Sequence, residues 1–107
     1  MERQWRKIEC FIDGVLFRKH LAANLKIANN IKEHVDNYLK KRGYIFASCV
    51  DPDPLDGLPR VVIRIRVKTK DFDELLALWD KLCDIGYQGL SSDEAIDIYI
   101  DCEQLAE

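Results

Sequence analysis

The chain has 107 residues, 48% of them hydrophobic and 33% charged, with a formal net charge of -3. That length suits one domain spanning 1–107 around one core, and the composition is too apolar for a disordered chain. The small acidic excess gives no global positive field for nucleic acid or acidic membranes.

No apolar run approaches the length of a membrane span, and Met1 to Lys7 lacks the apolar stretch of a signal peptide. The expected location is the cytoplasm, with no membrane partner. Cys10, Cys49, Cys83 and Cys102 are widely separated, with no Cys-x-x-Cys pair and no histidine at zinc-site spacing. No metal and no cofactor is expected. The cysteines lie among apolar residues, which favours free core thiols, though spacing leaves open whether any of them pair. His20 and His34 read as surface residues of one helix.

Alternation predicts a first strand over Trp5 to Ile12, with Ile8, Cys10 and Ile12 on one face and Trp5, Lys7, Glu9 and Phe11 on the other. Asp13-Gly14 breaks that pattern. A helix from Arg18 to Arg42 follows, with Leu21, Leu25, Ala28, Ile31, Val35 and Leu39 as its apolar stripe and Gly43 as its stop. A second strand runs from Tyr44 to Val50, ended by Asp51-Pro52-Asp53-Pro54. The third has the clearest alternation, Val61, Ile63, Ile65 and Val67 against Val62, Arg64, Arg66 and Lys68. Asp71 caps a second helix that reaches Ile85, with Glu74 three residues on. A last strand covers Ala95 to Glu103, with Ile96, Ile98, Ile100 and Cys102 inward and Tyr99 outward.

The order βαββαβ, with right-handed crossovers and a central hairpin, predicts an α+β ferredoxin-like sandwich. Its four-stranded antiparallel sheet would run in the order 4-1-3-2, with both helices on one face and the other face open.

At the junction of the first strand and helix the chain reads Ile12-Asp13-Gly14-Val15-Leu16-Phe17-Arg18. Gly-Val-x-Phe-Arg at that place resembles the signature of the acylphosphatase family, which has this fold. The resemblance implies a loop, Gly14, Val15, Leu16, Phe17 and Arg18, whose amides surround a phosphate or other small anion while Arg18 binds its oxygens. A helix N-terminus and a guanidinium suit that chemistry. Two positions depart from the family pattern: Asp13 replaces the usual glutamine, and Ala47 falls where the family has its catalytic asparagine. No catalytic residue is assigned beyond the candidate Arg18.

The expected open face groups Trp5, Phe11 and Tyr99 with Arg64, Arg66 and Lys68, a layout that superficially suits stacked bases and phosphates. Asp97, Asp101 and Glu103 on the last strand oppose that reading, and the third strand lacks the glycines and aromatics of RNA-recognition motifs. Cross-strand charge pairing explains the row more simply. A partly aromatic face with opposite charges on its two sides is also self-complementary about a twofold axis, so a homodimer is expected. The favoured function is therefore a non-catalytic, self-associating binding or assembly module. The alternative is an acylphosphatase-like hydrolase or anion binder using 13–18, and nucleic-acid binding ranks third.

Overall fold

A single long helix, α1 (Glu2–Lys41), opens the chain in the computed structural model, which describes residues 2–54 and 57–105, with side chains from 14 onward. The expected first strand is therefore helical. The segment Trp5 to Ile12 alternates over only a few residues, while Trp5, Ile8, Ile12 and Val15 also recur at helical spacing, and so short a run fits both periods. Asp13-Gly14 reads as a turn locally, yet Gly14 does not take the left-handed backbone of Gly43, Gly57 and Gly89. Downstream, Leu16, Arg18, Lys19 and Leu21-Ala22-Ala23 are good helix formers, and the helix runs through.

The other elements are β1 (Phe46–Pro52), β2 (Val61–Val67), α2 (Phe72–Tyr87), the short α3 (Ser92–Ala95) and β3 (Ile98–Gln104). They make a three-stranded sheet in the order β1-β2-β3. β1 pairs with β2 antiparallel, and β2 pairs with β3 in parallel. This overturns the ferredoxin-like, four-stranded antiparallel arrangement, though the α+β class stands. With no strand from residues 5–12 to separate them, β2 and β3 become direct neighbours. α2 then serves as the crossover that a parallel pair requires.

The core lies on one side of the sheet. Val61, Ile63, Ile65 and Val67 of β2 meet Ile98, Ile100 and Cys102 of β3, with Ala28, Ile31, Val35 and Leu39 of α1 and Leu75, Leu78 and Leu82 of α2 above them. Gly86 holds α2 close: a Cβ there would lie 2.6 Å from Ile100 Cδ1 and 2.8 Å from Ile31 Cγ2.

α1 ends in a Schellman cap. The Tyr44 amide donates to Leu39 O and the Gly43 amide to Lys40 O, both at 3.1 Å, with Gly43 at φ 77°. At the other end α1 outruns the sheet. Forty residues make a helix of about 60 Å, and the molecule is 61 Å along its longest axis. Among the described residues none before Leu21 joins the core, and Val15 and Leu16 are 43% and 46% exposed.

Candidate functional site

The residues singled out from the sequence separate into two groups. Gly14, Val15, Leu16, Phe17 and Arg18 lie inside α1, well past its start at Glu2. Amides within a helix are bonded to the carbonyls four residues back, so they cannot form the cradle that the acylphosphatase resemblance implied. The expected anion loop is corrected to a helical segment with a mostly solvent-facing surface, including an exposed Arg18. Trp5 and Phe11 belong to the same helix and not to the sheet, which removes them from the open face; their side chains lie outside the described residues.

Arg64, Arg66 and Tyr99 do share that face. The register sets Asp51, Val62 and Tyr99 in one row across the sheet, Cys49, Arg64 and Asp101 in the next, and Ala47, Arg66 and Glu103 in the third. Lys68, exposed, follows the end of β2. Arg64 and Arg66 of the central strand thus stand directly beside Asp101 and Glu103 of β3, with Asp51 of β1 diagonal to Arg64.

The Arg64 guanidinium meets Asp51 Oδ2 at 3.1 Å, Asp53 Oδ2 at 3.7 Å and Asp101 Oδ2 at 3.7 Å. Arg66 lies 3.9 Å from Glu103 Oε2. Arg60 donates to Asp53 Oδ2 at 2.6 Å and stacks over the Tyr99 ring at 5.6 Å. Each arginine of the face is therefore engaged by a carboxylate. Phosphate groups would have to displace these pairs, so the row that suggested nucleic-acid binding is a self-neutralised surface.

A depression of about 350 Å³ opens at the β1 side of this face, lined by Ala47, Ser48, Cys49, Asp51, Arg64 and Arg66. Cys49 is exposed there, not in the core as its apolar neighbours suggested. Its pKa is raised, first by desolvation and then by the Asp51 carboxylate, whose Oδ2 lies 3.6 Å from Sγ. A thiol held protonated in this way is a poor nucleophile. Cys83 is half-buried and Cys102 buried, both free; Cys10 lies outside the described residues.

On the opposite side of the molecule a groove of about 520 Å³ separates α1 from the end of α2, lined by His34, Asn37, Tyr38, Lys41, Ile85 and Gln88. It adjoins a second hollow of about 400 Å³ that reaches Leu90 and Glu94. No polar or charged residue is buried among those described, so neither hollow contains a desolvated group aimed at a ligand.

The two sheet edges differ sharply. Val61 N donates to Asp97 O and Leu105 N to Val67 O, both at 2.9 Å, which turns the odd-numbered residues of β3 toward β2 and the main-chain groups of Ile98, Ile100 and Cys102 outward. Two of those outward carbonyls are taken by α2: the Tyr87 hydroxyl donates to Ile98 O at 2.7 Å and the Trp79 indole to Ile100 O at 2.8 Å. Burial raises the Tyr87 pKa, which keeps the phenol a donor. The apolar spacing of α2 marks Trp79 only as a residue packed on the core and gives no sign of this second role. At β1, Lys68 N donates to Ile45 O and Asp53 N to Arg60 O, both at 2.9 Å, so Phe46, Ser48 and Val50 send their main-chain groups outward. No described side chain caps them.

The chain matches no protein-family model, and neither a curated protein nor a solved structure matches it.

Proposed function

We propose that this chain is a non-catalytic assembly module that associates with copies of itself. The observation that carries the reading is how much of its apolar surface its own fold leaves uncovered. α1 continues far upstream of the core with Val15 and Leu16 nearly half exposed. Phe72 (68% exposed) and Leu76 stand one turn apart on α2, and Ile45 is 63% exposed beside the start of β1. Single exposed apolar residues need no explanation, whereas a helix that outruns its domain does. A segment of that size is marginal alone in water and gains most of its stability from packing. Self-neutralisation of the open face supports the same reading, because the face offers a polyanion no uncommitted arginine.

Sedimentation velocity over a wide range of protein concentration tests it. The expected result is a reversible monomer–oligomer equilibrium in the intact chain, with no dependence on added nucleic acid. A monomer at every concentration would sink the reading.

A further inference from the structure

We infer that the outer edge of β1 pairs antiparallel with β1 of a second copy of this chain, joining the two sheets into one. The inference rests on the self-association proposed above and assigns its interface.

An open strand edge is a template for another strand, and soluble proteins guard such edges with lysines, prolines, bulges or a covering element. β3 is guarded by Trp79 and Tyr87. β1 has none of these guards along its length: it carries no lysine or arginine, its pairing with β2 runs without a bulge, and its proline is the last residue, Pro52. α1 sits over the helix side of β1, held by the Ser48 hydroxyl donating to Asp36 Oδ1 at 2.6 Å, a carboxylate that Lys32 of the same helix steadies through Oδ2 at 2.8 Å. None of its described side chains caps the outward main-chain groups.

The strand's own sequence identifies a second copy as the occupant. A twofold axis through Ser48 sets Phe46 against Val50 of the other copy, so that the apolar helix side continues across the junction. On the open face Ala47 meets Cys49, two small side chains, and Asp51 meets Ile45, so no like charges oppose each other. Every outward amide of Phe46, Ser48 and Val50 then finds a carbonyl. A slip of the axis to Cys49 sets Phe46 against Pro52, which has no amide to give, and Ala47 against Asp51.

The test is Val50→Pro against Val50→Ala, by sedimentation equilibrium with circular dichroism as the check on folding. The amide of Val50 points away from β2, so proline there leaves the β1–β2 ladder intact and deletes an outward donor; alanine loses similar packing but keeps the donor. We expect the alanine variant to associate and the proline variant to stay folded while its association weakens by about tenfold or more, since a bond is lost on each side of the axis.

Ala47→Cys supplies a second readout that does not depend on how well the proline variant folds. Mild oxidation should link position 47 of one copy to Cys49 of the other, because facing residues of a non-hydrogen-bonded pair are at disulfide distance. Association of the proline variant equal to that of the alanine variant would overturn the β1 edge and leave self-association standing, as would an oligomer of Ala47→Cys that forms no covalent dimer. A monomeric parent chain would overturn both and leave the edge to a strand of another protein.

Discussion

β1 and β3 both lie at the edge of one small sheet, yet only β3 is closed. The difference lies in α2. Gly86 lets that helix approach Ile31 and Ile100 closely, and Trp79 and Tyr87 reach over to two outward carbonyls of β3. α1 approaches β1 from above through Asp36 and Ser48 and leaves its rim bare. A covering element closes an edge only when it carries donors long enough to reach past the core to the main chain.

The strongest test of that contrast is to remove the cap. Trp79→Ala deletes a half-buried indole packed on the core together with its bond to Ile100 O. A loss of about 3 kcal/mol is expected in urea unfolding. Trp79→Phe keeps most of the bulk and should cost about 1 kcal/mol, because it leaves the Ile100 carbonyl without its donor. If the phenylalanine variant were as stable as the parent, the indole would be packing and no cap.

The cysteines sharpen the same comparison. Cys102 of β3 is 3% exposed and its pKa is raised from 9.0 to about 11, chiefly by burial and then by Asp101. Its folded pKa lies above the unfolded one, so its contribution to stability is complete below pH 9 and is lost as pH rises through 11. That displacement corresponds to about 2–3 kcal/mol. Urea midpoints at pH 8 and pH 10.5 should diverge more in the parent than in Cys102→Val; Cys83 and the tyrosines titrate equally in both and cancel. Equal divergence would mean that water reaches the β3 thiol in the folded state. Exposed Cys49 should react with a thiol reagent well before Cys102 at pH 8.

The sequence made part of this fold legible. Alternation from Ile63 to Val67 is unbroken and the strand forms where expected. The stripe of α1 follows from helical spacing, and its stop at Gly43 and the start of α2 at Asp71 rest on capping chemistry that acts within a turn, so those two ends survive whatever the rest of the chain does. On the open face, Arg64, Arg66 and Tyr99 follow from the same alternation. Trp5 and Phe11 do not, because eight residues can satisfy a strand period and a helix period together, and only the neighbouring elements decide. The capping box of Ser91 and Glu94, both bonds present, was a readable signal for α3 that the strand pattern concealed. The caps on β3 were not readable, since a side-chain bond to a distant carbonyl depends on where two elements finally lie.

The smallest expected effect concerns why β3 borders β2 at all. In a ferredoxin-like sheet a strand from residues 5–12 would lie between them, and Asp13-Gly14 would be its turn. In a continuous α1, Gly14 is a helix-interior glycine, and a Cβ there meets nothing within 4 Å. Gly14→Ala should then stabilise α1 by about 0.5–1 kcal/mol, through propensity and a smaller entropy loss on folding, and raise the helical signal in far-ultraviolet circular dichroism. If Gly14 instead occupied a turn with positive φ, the same change would destabilise the protein and lower that signal. The sign alone separates the two, and it decides whether β3 pairs directly with β2 or lies beyond a strand from residues 5–12.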